Sequence, residues 1–506
     1  MYTHGQRHPE TRLYWNEITQ KWLKKPVRPT SKGQAVGKAK GQAIGKAVGK
    51  TKGSTYQRKL EEIKKETDKW KSFAWLPINL SIETILQKAE ELWDDKSKFD
   101  IDRALSVASL MIIKRTKDQK KTKWAYQWGY INVHSDDLVK WCGVRYEAYL
   151  RFFEKAKFIT EYKKGHKGFM SGQYPKQYRW WPLLLKKEGD PRKYHKVEYQ
   201  TPRLLLKLAE MKLQKKVESL RENTRSAMVQ NVFDLVDTID INQFTSWCVA
   251  NPKAFKNQDV MNDILVTVNE IKDGNVYINS RDEYGWRFHT PFTNTKKVLR
   301  QFVMIGGQSA SELDVKNSQF FFMACLTKYP KQCMEILKKS GMKATDLKVV
   351  FHNLSYYYET YEDFRSFVDA AEVGEVYQTM TARFASVGKT YPKKKVKDMC
   401  FAAFFSERGE SVKTKAKLAT LYPMVVAACE NINGGELPLP MLLQRLESAM
   451  MIDRVAVLVN DNATHPFTTV HDSFLAGQED IEMIEQVIIE EFGKAGLPVP
   501  NLDIKK

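Results

Sequence analysis

Residues 311–326 read SELDVKNSQFFFMACL. The entry alternates polar and apolar side chains as a strand does, an aspartate closes the alternation, and an apolar helical run follows. An ionised carboxylate at the end of a buried strand is costly unless it binds something. Residues 466–477, PFTTVHDSFLAG, repeat the design and put Asp472 at the bend after a strand-like run. Two acids at strand ends, far apart in the chain, can converge on one pair of metal ions. Template-directed nucleotidyl transfer uses two Mg²⁺ to activate a 3′-hydroxyl and to stabilise the departing pyrophosphate. Mg²⁺ takes a few carboxylates and completes its shell with water and phosphate. An aspartate ending a strand is also an ordinary turn residue, so the pair acquires meaning from its surroundings.

The nearest relevant surroundings are cationic and aromatic. Residues 393–406 read KKKVKDMCFAAFFS. Lys393, Lys397, Phe401 and Phe405 recur every fourth position, which places two ammonium groups and two rings along one helix face. A triphosphate needs the first and a base the second. A solvated lysine cluster leading into a core helix would look the same.

Five segments in this order resemble the polymerase domain of family A DNA polymerases and the phage-type single-subunit RNA polymerases, from about Tyr284 to Gly493. GWRFHTPFTNTKKVLRQFV, starting at Gly285, is similar to the segment G-R-x-x-(S/T)-x-P-N-L-Q-N followed by R-x-x-F. The resemblance implies that Arg287, Asn294 and Arg300 lie near primer and template. LDVKNSQ resembles motif A and implies that Asp314 binds metal. KKKVKDMCFAAFFS resembles motif B, which implies triphosphate contacts for Lys393 and Lys397 and a base-packing ring at Phe401. Phe405 stands where tyrosine is usual, and Ser406 where glycine is. LLQRLESAMM resembles the helix before motif C, with Gln444 at a minor-groove-reading position. VHDSF resembles motif C, with His471 and Asp472 as its His-Asp pair.

The implied fold class is α+β, a right-hand polymerase domain of palm, fingers and thumb. The implied cofactor is Mg²⁺, two ions, with Mn²⁺ a possible substitute. The implied partners are a DNA template and primer and nucleoside triphosphates. The product stays open between DNA and RNA. Gln319, five residues after Asp314, is long enough to crowd a 2′-hydroxyl, and Phe401 follows the DNA branch. Asp-x-x-x-Ser and His-Asp-Ser-Phe follow the RNA branch. No D-x-E exonuclease pattern precedes Tyr284, so proofreading is not expected.

Toward the N-terminus, residues 131–181 suggest another module. Ser135 is placed to cap a short helix, Gly143 marks a turn, and residues 146–155 have helical spacing. Two strand-like runs, 158–162 and 177–181, flank a basic glycine-rich loop that carries Lys163, Lys164 and Lys167. That order resembles a winged helix-turn-helix, which either binds DNA, with the loop on phosphate, or serves only as a protein-contact module. Earlier helices are expected at 81–93, with Ile82, Ile85, Leu86, Ala89 and Leu92 on one face, and at 102–113. Residues 32–47 repeat KGQAVGKA as KGQAIGKA and cannot build a core. GKAVGKT at 45–51 has three residues where a phosphate loop needs four.

The expected divisions are therefore a flexible basic tail over 1–55, a helical, winged-helix-like DNA-binding domain over 56–195 and a polymerase-like domain over 196–506. The chain of 506 residues carries 81 Lys and Arg against 60 Asp and Glu, a net +21. So basic a protein attracts polyanions, with nucleic acid the leading partner. No apolar run is long enough to span a bilayer, so no membrane partner is expected and a cytoplasmic location is. The six cysteines form no C-x-x-C pair and no zinc site is expected. The reading is a template-dependent nucleotidyltransferase, first a DNA-directed DNA polymerase for replication of a phage, plasmid or other mobile element. An RNA polymerase or primase is the alternative, and a non-catalytic replication initiator the third.

Overall fold

The computed structural model describes residues 72–118, 129–162, 176–221, 226–275, 280–407 and 409–505, with a short hairpin of Tyr14–Asn16 and Lys21–Leu23. Lys163, Lys164, Lys167 and the octapeptide repeat lie outside the described residues. These residues fall into two compact units. The first runs through Lys187 and resumes over Lys193–Val217. The second holds Glu188–Arg192 and the chain from Glu218.

In the first unit, strand β1 (Phe73–Pro77) leads into helix α1 (Ile82–Leu92), whose N-terminus is capped by the Ser81 hydroxyl accepting from the Thr84 amide at 3.1 Å. Of the face expected on α1, Ile85 and Ala89 are buried, whereas Leu86 is exposed. Helix α2 (Ile101–Asp118) runs past the expected end and buries Ala104, Leu105, Val107, Ala108, Leu110, Met111 and Ile112. Strand β2 (Ile131–Val133), helices α3 (Ser135–Cys142) and α4 (Tyr146–Lys155), and strands β3 (Ile159–Glu161) and β4 (Lys176–Trp180) follow.

The three strands pair antiparallel in the order β2-β4-β3, with Tyr178 opposite Ile131 and Trp180 opposite Ile159. The order along the chain is helix, strand, helix, turn, helix and hairpin, with the first strand beside the last. Gly143 turns at φ +82°, a left-handed conformation that other residues adopt only with strain. Ser135 does not cap α3. It is the first helical residue, and the cap position falls on His134, which makes no side-chain cap bond. Asp136 and Asp137 supply the negative charge that this end favours. Tyr149, Phe152 and Phe153 of α4 are buried, and Tyr149 and Phe152 pack with Trp93 and Phe99. Strand β5 (Tyr194–Glu198) closes on β1.

The second unit is mostly helical around one four-stranded antiparallel sheet. Strands β6 (Ser311–Val315), β7 (Thr468–Val470), β8 (Ser473–Ala476) and β9 (Leu502–Lys505) lie in the order β7-β8-β6-β9. Helix α5 (Ser318–Lys328) leaves β6 at Asn317 and is apolar on every side, so it is buried all round, with Phe321 and Phe322 against Phe492. Helix α6 (Lys393–Phe405), helix α7 (Leu439–Met450) and helix α8 (Ile481–Lys494) complete the frame used below. All six cysteines are buried free thiols. No described helix is long and apolar enough to cross a membrane.

Candidate active site

Strand pairing brings the two sequence-predicted acids together. Asp314 faces Ser473 across β6 and β8, so Asp472, one residue earlier, stands beside Asp314. The Asp472 carbonyl accepts from the Val315 amide at 3.3 Å. His471 and Asp472 form the two-residue turn between β7 and β8. His471 holds φ +60°, a left-handed conformation that costs a side chain about 1–2 kcal/mol. Trp286 at φ +56° and Asn317 at φ +53° share it, and both belong to segments around the same acids. Such strain persists only where the surroundings enforce it.

The charges around these acids are unequally matched. Glu312 points to the same face of β6 as Asp314 and is buried. Burial works against its charge, but Arg300 at 3.0 Å and Lys297 at 3.4 Å prevail and hold its carboxyl below the usual range. The Ser473 hydroxyl donates to it at 3.2 Å and to the Val470 carbonyl at 3.1 Å. Arg300 is thus the counter-ion of a sheet carboxylate and also reaches the Phe292 carbonyl. Asp472 has no such balance. Burial first, then the charges of Glu447 and Asp314, push its carboxyl up to about 8, against a smaller opposing effect from Arg287. Asp314 pairs with Lys505 of β9. Ionised Asp472 is therefore the form that a cation would stabilise.

Glu447 of α7 is the residue that motif reading passed over. Its side chain is 1% exposed. One oxygen accepts from Arg287 Nε at 2.9 Å and Nη2 at 2.7 Å. The other accepts from Ser318 Oγ at 2.7 Å and from Gln319 Nε2. Arg287, Ser318 and Gln319 are thus tied to one buried carboxylate, whose charge also acts on Asp472. The sequence signal was present: Glu447 follows Leu442, Leu443 and Leu446 and precedes Ala449 and Met450, and all of these are buried. A charge in so apolar a helix needs partners.

The segment that carries Arg287 is fastened to α7. Arg445 donates to the Tyr284 and Glu283 carbonyls at 2.8 and 3.0 Å, and Ser448 Oγ to the Gly285 carbonyl at 2.9 Å. Gly285 lies so close to Gln444 that a Cβ there would fall 2.3 Å from Gln444 Oε1. Asp282 accepts from the Gly285 and Arg287 amides and faces His289 Nε2 at 3.1 Å. His289 meets His471 edge to face at 6.1 Å. Burial, then Arg287, His289 and Arg300, lower the His471 pKa to about 4, so its ring is neutral. Its Nδ1 is buried without a partner among the described residues. Asn294 is exposed at the end of a helical turn, where its amide donates to the Thr290 carbonyl at 3.0 Å.

Helix α6 brings the remaining residues. Val396, Met399, Cys400, Ala403 and Phe404 are buried, leaving Lys393, Lys397 and Phe401 exposed on one face. Phe401 and Phe405 stack at 5.1 Å with 16° between their planes, and Lys397 Nζ lies 5.4 Å from the Phe401 ring centre. Phe320, next to Gln319, meets Phe401 at 6.2 Å and Phe404 at 4.9 Å. The lysine and phenylalanine face thus adjoins the start of the helix that follows Asp314. Asp314 and Asp472 are the pair available to a cation. No group of three or more His, Cys, Asp or Glu side chains arranged for a metal occurs among the described residues.

The chain matches no family model and no curated protein. Among solved structures it is similar to the POL domain of Pol1 from M. smegmatis in complex with DNA primer-template and dNTP, at 13% identity and a TM-score of 0.29. The match covers 52% of this chain and 55% of that one, so the chain spans about half the length of that relative. The functional reading rests on the geometry of the site itself.

Proposed function

We propose that the second unit is a template-directed nucleotidyltransferase that makes DNA. The observation that carries the reading is the meeting of Asp314 and Asp472 across one strand pair, where a cation would stabilise the ionised Asp472, beside an exposed Lys393–Lys397–Phe401 face. Asp314 and Asp472 would hold Mg²⁺, which suits two carboxylates because substrate phosphates and water supply its other ligands. When bound, Mg²⁺ lowers the pKa of a 3′-hydroxyl and stabilises charge on the leaving pyrophosphate. The protein's part is placement. Lys393 and Lys397 hold the triphosphate and Phe401 stacks on the base. Neutral His471 and the fastened Arg287 line the primer side, and Gln444 lies against Gly285 on the same segment.

The winged-helix module of the first unit would bind DNA and select the site, consistent with a replicative role for a mobile element. A non-catalytic DNA-binding initiator is the second reading, favoured by the Lys505 pairing with Asp314. Primer extension on a DNA template with Mg²⁺ tests both, with dNTPs and NTPs in parallel and with and without a primer. Extension with dNTPs that is lost in Asp314→Asn and Asp472→Asn supports the proposal. Extension with NTPs alone makes the product RNA. Folded, DNA-binding protein that extends nothing supports the initiator.

A further inference from the structure

We propose that the cavity at the C-terminal end of α7 is a second nucleotide site, which takes one nucleoside phosphate unit without a metal ion. The inference goes beyond the nucleotidyl-transfer reading and does not rest on it. The cavity measures about 900 Å³ and belongs wholly to the second unit. Pockets for small ligands run from about 300 to 1,000 Å³. Neither of the acids Asp314 and Asp472 lines it, nor does any residue of the α6 face. Its wall combines the indole of Trp286 with the cations of Arg281, Lys339 and Arg454, against one carboxylate, Asp453. A base needs a flat apolar surface, and a phosphate needs guanidinium or ammonium donors.

Two departures from regular backbone geometry present these groups. Past α7 the chain continues through a π-helical turn, Met451–Val455, which buries Met451, Ile452 and Val455 and leaves Asp453 and Arg454 half-buried. Such turns recur at functional sites. Trp286 holds φ +56°, and Arg281 Nε donates to its carbonyl at 2.7 Å. Asp453 in turn grips both terminal nitrogens of Arg281, at 2.7 and 2.6 Å. The one acid of the wall is thus committed to fixing the strained residue that carries the indole, and Mg²⁺ finds no second carboxylate there. The other two cations are available to a ligand. Arg454 donates through Nε to Glu491 at 3.1 Å, a carboxylate that also accepts from Lys494 at 3.0 Å, and its terminal nitrogens make no hydrogen bond among the described residues. Lys339 ends the helix Pro330–Lys339, exposed and without an ion pair among the described residues. Nearby, Gly341 lines the cavity with no atom within 4 Å of the place a Cβ would take. Phosphate oxygens therefore go to Lys339 and Arg454, and the base to Trp286.

The test is equilibrium binding to the full chain carrying Lys397→Met, in chelator, so that neither metal nor that lysine holds a nucleotide beside Asp314 and Asp472. The probes are deoxyadenosine diphosphate, pyrophosphate and single-stranded tetrathymidylate. The expected result is saturable binding of the diphosphate that Lys339→Met weakens about tenfold, together with that of pyrophosphate. Lys338→Met removes an exposed lysine outside the cavity and should change either affinity by less than about twofold. Trp286→Leu should weaken the diphosphate about tenfold and leave pyrophosphate within about twofold, because only the first carries a base. Should Trp286→Leu fail to fold, the unsubstituted indole decides: a diphosphate bound at least about tenfold tighter than pyrophosphate supports the inference, and equal affinities overturn it. Tetrathymidylate that binds where the free diphosphate does not, and is weakened by Lys339→Met alone of the two lysine variants, assigns the unit to a DNA strand and supports the same chemistry. Binding of neither probe, or equal losses in Lys338→Met and Lys339→Met, overturns the inference. Primer extension reads the nucleotidyl-transfer proposal separately, so either can fail without the other.

Discussion

Asp472→Asn is expected to stabilise the metal-free protein while abolishing nucleotide addition. In the unfolded chain the carboxyl titrates near about 3.9. In the fold it is raised by burial and by the charges of Glu447 and Asp314, to about 8. Between those values the folded state holds a proton that the unfolded state has released, so this group's contribution to stability falls as pH rises across the window. At about 1.4 kcal/mol per pH unit, the whole separation would amount to about 6 kcal/mol. Asp472 is only partly withdrawn from solvent and its neighbours can relax, so about 2–3 kcal/mol is the expected gain at pH 8. For a unit of this size that is a rise of roughly 4–10 °C in melting temperature. The assay is thermal unfolding of both proteins in chelator at pH 8 and near pH 4. The advantage of the variant should nearly vanish at the lower pH, where Asp472 is protonated in the fold and about half protonated in the unfolded chain. Added Mg²⁺ should stabilise the wild type and not the variant, by mass action on the folded state. A variant less stable than wild type at pH 8, or a gain independent of pH, refutes the account of an uncompensated carboxylate.

Three further outcomes are expected. Lys505→Met removes the cation that Asp314 now meets, a partly exposed pair worth about 0.2–1 kcal/mol, so half-saturating Mg²⁺ in extension assays should fall by about 1.4- to 5-fold. Arg287→Met leaves Glu447 buried without its cation and should lower stability to urea by about 3–5 kcal/mol, the usual result of breaking a buried pair from one side. Gly285→Ala should destabilise by about 1–3 kcal/mol because its methyl meets Gln444, and Gln444→Ala in the same chain should recover most of the loss.

Much of this site was legible because its parts obey local rules. Asp314 and Asp472 each close an apolar alternation, and strand ends meet where strands pair. The α6 face was legible from helical spacing, and the order of two helices and a hairpin in the first unit from turn glycine, helix and hairpin signals. Glu447 was not legible in role, since Arg287, Ser318 and Gln319 reach it from distant segments and a glutamate on a helix is usually solvated. The pairing of Arg300 with Glu312 was not legible, because nothing in its own segment points to that partner. Strand β9 was missed altogether. Its sequence NLDIKK follows two prolines and has no clear alternation, and it becomes a strand only through the bonding groups that β6 offers.

The two units are not consecutive along the chain. Residues 188–192 join the second unit, where the Pro191 carbonyl accepts from Gln258 at 2.6 Å and from Asn262 at 3.1 Å, before the chain returns to the first. Strand β1 must in turn wait for β5, whose residues follow that excursion. During synthesis on a ribosome, the sheet begun at Phe73 is therefore held open until more than a hundred residues later, when the chain has already delivered a piece of the other unit. No single cut yields two whole fragments: a break after Lys187 strips the first unit of β5, and a break after Val217 strips the second of its Pro191 acceptor.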